Sequence, residues 1–194
     1  MPPDLAEPWR SFLTDLDTSL EHDVQLHCCG GFVVTAAYGL ARTTADLDVL
    51  AVVPTNQLPA LTALAGRGSK LHQAHGVYLD VVTVATVPDS YEERLTELYP
   101  RRFQHLRLLM LDAYDLVLAK LPRNADRDRG DLEYLAVAVP LKPSVLKERY
   151  SREMRDYVAV PEREDLTPLC PTTRAACLRA LSGGPWNMPG LLAT

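Results

Sequence analysis

The stretch HCCGGFVVTAAYGLARTTADLDVL, from His27 to Leu50, decides how this chain folds. It reads as a strand ending at Gly30 and Gly31, a short helix, an arm carrying Arg42, Thr43 and Thr44, and a second strand opening with Asp46 and Asp48. Paired glycines at a strand-to-helix turn let the backbone approach a ligand closely and leave helix N-terminal amides pointing at it, which suits phosphate. Asp46 and Asp48 are two residues apart on a strand, so alternation puts both carboxylates on one face, about 6 to 7 Å apart at Cα. That pairing can hold a divalent metal; the plainer alternative is a polar start to a strand at the sheet edge. A D-x-D is common by itself, and the glycine pair, helix and R-T-T before it make this one specific.

On the N-terminal side, Leu5, Trp9, Phe12, Leu13, Leu16 and Leu20 recur at helical spacing and predict an amphipathic helix over residues 5–20 that covers a sheet. Residues 24–29 form the first strand. Phe32, Val33, Ala36, Ala37 and Leu40 make the stripe that packs the short helix down and fixes its glycine end. Leu47 to Val53 is apolar on both faces, the mark of a central strand. A helix over residues 56–67 follows, then a second two-sided apolar strand from Val77 to Thr86. Asp80 sits in the middle of that strand, on the face of Tyr78, Val82 and Val84. Burying a lone carboxylate there costs several kcal/mol unless it is compensated. Asp80 is therefore either a third metal ligand or general base beside Asp46 and Asp48, or the structural partner of an arginine.

Further on, the pattern predicts a helix from Tyr91 to Tyr99, a strand from Leu106 to Met110 and a helix from Asp112 to Leu121. Lys120 is the oddity of that last helix, because Ala113, Leu116, Val117, Ala119 and Leu121 leave it little polar company. It either snorkels to the surface or aims a cation at a triphosphate. The next helix starts near Asp126, with Arg127, Asp128 and Asp131 on its first turns. These form a solvated, dipole-stabilised start or serve to order Lys120 and the rim of the site. Residues 144–157 give a helix whose outward Lys147, Arg149, Arg152 and Arg155 interleave with Glu148, Glu153 and Asp156, a solvated face rather than an RNA groove. A last helix from Thr172 to Leu181 precedes a Gly/Pro-rich tail. The expected division is a core over residues 1–139 and a helical C-terminal extension and tail over 140–194.

Composition bounds the rest. The chain has 194 residues, 47% hydrophobic and 23% charged, as an ordinary globular domain does, and its net charge of −5 argues against indiscriminate coating of nucleic acid. No run approaches the roughly 18 apolar residues of a membrane span, and the first residues lack a signal peptide's basic and apolar regions, so the expectation is a cytoplasmic protein without a membrane partner. Four cysteines, Cys28, Cys29, Cys170 and Cys177, show neither a disulfide framework nor zinc-knuckle spacing. Walker lysine, serine-elbow and H-E-x-x-H motifs are missing, which sets aside kinase, hydrolase and zinc-protease chemistry.

The order Gly30-Gly31, helix, Arg42-x-Thr44-x-Asp46-x-Asp48, a later strand with Asp80, then Lys120-Leu121 and Arg127-Asp128-x-x-Asp131-Leu132 resembles the nucleotidyltransferase superfamily with the DNA polymerase β type fold. Within it the chain is most similar to bacterial proteins of the AbiEii and MenT toxin type and their uncharacterised relatives. The resemblance covers about residues 22 to 136. It implies an α+β fold, a small mixed sheet flanked by helices with a helical C-terminal part, and transfer of a nucleoside monophosphate from an NTP. Carried over residue by residue, it implies that Asp46 and Asp48 bind Mg²⁺ and that Asp80 activates the acceptor hydroxyl or completes the metal site. Gly30 and Gly31 would face the triphosphate and Lys120 would neutralise it, with Arg42, Thr44 and Arg127 lining the nucleotide. Many members have Gly-Ser where this chain has Gly30-Gly31, so backbone amides stand in for a hydroxyl.

These residues suit in-line phosphoryl transfer between two metals about 4 Å apart. Two functional classes follow. One is an Mg²⁺-dependent nucleotidyltransferase, either a toxin acting on tRNA and opposed by a cognate antitoxin, or an enzyme modifying a small molecule such as an antibiotic. The other is a non-catalytic, antitoxin-like binding module of the same fold, against which intact Asp46, Asp48 and Asp80 weigh.

Overall fold

A computed structural model describes residues 4–83, 85–120 and 126–154, with the backbone only at 126, 127 and 129. The expected helix at Thr172–Leu181, the tail, Cys170 and Cys177 lie outside the described residues. The chain divides into two compact units, residues 1–85 with 91–112 and residues 86–90 with 113–194.

The first unit begins with α1 (Trp9–Thr18), whose buried Trp9, Phe12, Leu13 and Leu16 lie at i, i+3, i+4 and i+7. Asp17, at its end, accepts hydrogen bonds from the backbone N–H groups of Gln104, His105 and Leu106 at 2.7 to 2.9 Å, which ties the helix to a later strand. Then come β1 (Val24–Cys29), α2 (Gly30–Tyr38), β2 (Asp46–Val53), α3 (Leu58–Ala65), α4 (Lys70–His75), β3 (Tyr78–Val81), β4 (Thr96–Leu98) and β5 (Leu106–Met110). The strands form one mixed sheet in the order β3-β2-β1-β5-β4. β1 runs antiparallel to β2 and parallel to β5, β2 parallel to β3, and β4 antiparallel to β5.

Alternation sorts the sheet into two unlike faces. Leu26, Cys28, Leu47, Val49, Leu79 and Leu108 are buried on one. Phe12, Phe32, Val33 and Leu61 from the helices are equally buried, and the Trp9 and Phe32 rings meet edge to face with centroids 4.7 Å apart. The opposite face of β2 and β3 carries Asp46, Asp48 and Asp80. The fold is α+β, a small mixed sheet flanked by helices and followed by helices, as the sequence implied.

Three expected elements change. Tyr91–Tyr99 is not a helix: a 3₁₀ turn at Tyr91–Arg94 gives way to β4, where Leu98 pairs with Leu108. The strand expected over Val77–Thr86 is ladder-paired only as β3, because β2 supplies partners for it from Asp46 to Val49, and a single further bond runs from Val82 N–H to the Val49 carbonyl. α4, which the periodicity did not announce, is bounded by Ser69, whose hydroxyl accepts the His72 N–H at 3.1 Å, and by Gly76 in the left-handed region at φ 73°.

The second unit holds α5 (Ala113–Lys120), α6 (Asp126–Ala138) and α7 (Pro143–Arg149), the last running into a π turn at Tyr150–Met154. Leu116, Leu118, Leu132, Leu135, Leu146 and Met154 are buried. Arg149, read from sequence as outward, instead donates to the fully buried Asp115 at 2.8 Å and lies over the Tyr114 ring.

Candidate functional site

The parallel register of β2 and β3 sets Asp46 beside Tyr78 and Asp48 beside Asp80. All three aspartates thus project from one face of two neighbouring strands, which are spaced about 4.8 Å apart. Asp46 and Asp48 are half-buried and Asp80 is exposed. The expectation of a buried Asp80 is corrected: β3 is the edge strand, and the carboxylate stands in solvent at no desolvation cost. Among the described residues it forms no ion pair, which removes the structural-arginine alternative there.

Each glycine of the pair leaves room for a particular side chain. Gly30 has φ +70°, a conformation that other residues rarely adopt, and a Cβ on it would overlap the Asp48 carboxylate. Asp48 is therefore laid over the first residue of α2, at the positive end of the helix dipole. At Gly31 the place of a Cβ lies 2.5 Å from Nη2 of Arg42. The arm before β2 thus folds back so that its guanidinium covers the second glycine.

Thr44 is buried and donates its hydroxyl to Oδ1 of Asp46 at 2.5 Å. A bond this short to a carboxylate is charge-assisted and fixes the rotamer of Asp46. Thr44, which the resemblance places at the nucleotide, is hydrogen-bonded to the acidic group two residues on.

The donor set fits magnesium in kind. Mg²⁺ favours carboxylate oxygen and is held by one or two protein carboxylates together with substrate phosphates and water. Asp46 and Asp48 supply such a pair. Among the described residues, no three histidine, cysteine, aspartate or glutamate side chains are grouped so as to hold one ion, so the expected three-aspartate metal cluster with Asp80 is not formed and Asp46 and Asp48 are left as the pair.

Lys120 belongs to the second unit and does not snorkel. It is 6% exposed, and its Nζ lies 3.0 Å from Oδ1 of Asp128 and 2.8 Å from Oδ2 of Asp131, both buried. For Asp128 and Asp131, read from sequence as either a solvated helix start or the groups that order Lys120, the second is found. The Arg127 side chain lies outside the described residues.

One pair escaped the sequence reading. His27 in β1 is buried, with Nδ1 3.2 Å from the Tyr91 hydroxyl. Burial lowers the His27 pKa against the opposing pull of Glu92, and burial, reinforced by Glu92, raises Tyr91 to about 12. A neutral ring protonated on Nε2 accepts the phenol proton at Nδ1. Alternation along β1 puts His27 on the face of Cys29, which pairs with Asp48. Cys28 is inert, because burial holds its thiol well above the usual range.

No curated protein and no solved structure matches the chain. A family described as nucleotidyltransferase of unknown function (DUF6036) matches residues 12–171, which includes the glycine turn, all three aspartates and the buried lysine. The chain belongs to that nucleotidyltransferase family.

Proposed function

We propose that the protein is an Mg²⁺-dependent nucleotidyltransferase that moves a nucleoside monophosphate from an NTP to a hydroxyl acceptor. The observation that carries this reading is the placement of Asp46, Asp48 and Asp80 on one face of β2 and β3, with Asp48 laid over the glycine turn that starts α2. Asp46 and Asp48 hold the metal, and Thr44 keeps the Asp46 carboxylate in one orientation. When bound, Mg²⁺ neutralises charge on the triphosphate and lowers the pKa of the acceptor hydroxyl. The amides of Gly30 and Gly31 face the phosphates. Asp80, exposed and opposite Asp48, takes the acceptor's proton. The acceptor oxygen bonds to the α-phosphorus as the bond to the β-bridging oxygen breaks, and pyrophosphate leaves. Lys120, already compensated by two carboxylates, serves to hold α5 to α6 in place of neutralising the triphosphate.

The resemblance supports a tRNA end as the acceptor, in a toxin opposed by an antitoxin; a small hydroxylated molecule is the alternative. Incubation with each α-labelled NTP, Mg²⁺ and total tRNA tests the reading. Label in RNA supports the toxin branch. Label released only as free nucleotide adducts supports a small-molecule acceptor, and no NTP turnover with any acceptor overturns the enzyme.

A further inference from the structure

Resting on that reading, we infer that Arg67, held on the ring of Tyr78, is a specificity residue on the acceptor side of the site, where it selects an acceptor carrying a phosphate beside its reacting hydroxyl. The stretch after α3 brings the arginine there. α3 closes with the Gly66 N–H on the Thr62 carbonyl at 2.8 Å, and a Cβ at Gly66 would overlap that carbonyl oxygen. Gly66 then bridges Leu79 in parallel, alongside the edge strand β3. The next residue turns to the other face, that of Tyr78 and Asp80. There the Arg67 guanidinium lies 4.5 Å from the centroid of the Tyr78 ring and donates to its hydroxyl, while His72 meets the same ring edge to face at 4.9 Å. Tyr78 pairs with Asp46 in the β2–β3 register and stands two residues before Asp80, about 6 to 7 Å along the strand.

An arginine so near three carboxylates would ordinarily pair with one of them. Among the described residues Arg67 forms no ion pair, although it is exposed. Tyr78 holds it instead, by the face of the guanidinium and by one of its N–H groups. Its other donors form a planar fork that fits a phosphate. In-line transfer decides which phosphate this is. The glycine turn that faces the departing pyrophosphate lies on the β1 side of β2, and the attacking oxygen lies opposite the leaving one. The acceptor therefore enters from the β3 side, past Arg67 and Tyr78, to reach Asp80. A phosphate at Arg67 belongs to the acceptor and not to the NTP, and a cationic small molecule is repelled at this entry.

The test uses the protein saturated with Mg²⁺ and a non-hydrolysable NTP, titrated with a single-stranded oligoribonucleotide, with ribose 5-phosphate and with ribose. At least one phosphate-bearing probe should bind, and more tightly than ribose. Arg67→Ala should weaken that binding about tenfold or more, with NTP affinity and melting temperature unchanged. Arg67→Lys keeps the charge without the fork and should recover only part of the loss. Tyr78→Phe keeps the ring, drops the anchoring hydroxyl and should weaken the same probe. Binding of the oligoribonucleotide alone assigns the phosphate to a nucleic-acid chain, and binding of ribose 5-phosphate assigns it to a small phosphorylated acceptor. Wild-type probe affinity in Arg67→Ala overturns the inference and leaves the enzyme reading intact, as does a wild-type protein that binds NTP but neither phosphate-bearing probe. Reduced NTP affinity in Arg67→Ala also overturns it, because the arginine would then serve the nucleotide. If the wild-type protein binds no NTP, both fall.

Discussion

Asp48 faces Asp80 across the β2–β3 ladder and at the same time lies over the bare Cα of Gly30. One carboxylate is thus shared between an acidic pair and the start of α2, where phosphate is well received. Metal and triphosphate meet at this point in the proposed chemistry, and the two requirements on Gly30, positive φ and no side chain, both arise from it.

Asp80 should matter to rate and not to folding. It is exposed, so Asp80→Asn should change stability by no more than about 0.5 kcal/mol. As general base its loss should slow transfer by about a hundredfold or more. Unchanged kinetics with all NTPs would return Asp80 to the ordinary surface.

Lys120 should behave in the opposite way. Lys120→Met removes the Lys120 ammonium from the buried Asp128 and Asp131 carboxylates, and breaking a buried pair by removing one partner costs about 3 to 5 kcal/mol. Urea denaturation should show that loss, and adding Asp128→Asn and Asp131→Asn to the methionine variant should recover part of it. A Lys120→Met protein as stable as wild type, but impaired in NTP binding, would restore the triphosphate role.

Thr44→Val keeps the shape and deletes the hydroxyl that holds Asp46. Stability should fall by about 1 kcal/mol, and the Mg²⁺ concentration for half-maximal binding should rise, while Thr44→Ser keeps both near wild type. Equal behaviour of the valine and serine variants would mean that the hydroxyl is idle.

His27 should make stability depend on pH. Burial lowers its pKa in the folded protein below the ordinary value of 6.5, so the unfolded chain binds more protons between those two values. The His27 contribution is therefore complete above about pH 6.5 and is lost as pH falls through the lower folded pKa. His27→Gln should flatten the wild-type stability profile on the acid side of pH 6.5 in chemical denaturation, and profiles that stay parallel would contradict it.

Much of the fold was legible because its core elements are locally periodic. The α1 stripe, the alternation in β2 and the glycine turn between β1 and α2 need only neighbours in sequence. β4 was misread because Tyr91, Leu95 and Leu98 mimic helical spacing, and its pairing with β5 is a tertiary fact that overrides it. Apolar neighbours made Asp80 look buried, although edge position and a four-residue ladder expose it. Two capping signals, Ser69 and Gly76, were available for α4 and went unused. The seat of Arg42 on Gly31 depends on how an arm folds back across a turn, and spacing carries no trace of that. Lys120 was half legible: Asp128 and Asp131 stand three apart on one helix face, but only packing shows that they close on the lysine.

The most direct measurement is pyrophosphate release from NTP and Mg²⁺ with acceptor, comparing wild type with Asp48→Asn beside their melting curves. Asparagine keeps the shape over Gly30 and loses the charge that holds a hard cation. Loss of such stabilisation costs about 3 kcal/mol or more, at least a hundredfold in rate. Asp48→Asn should melt at or near the wild-type temperature without Mg²⁺, gain nothing when Mg²⁺ is added, and release no pyrophosphate above background. Wild-type turnover in a folded Asp48→Asn protein would contradict the metal mechanism outright.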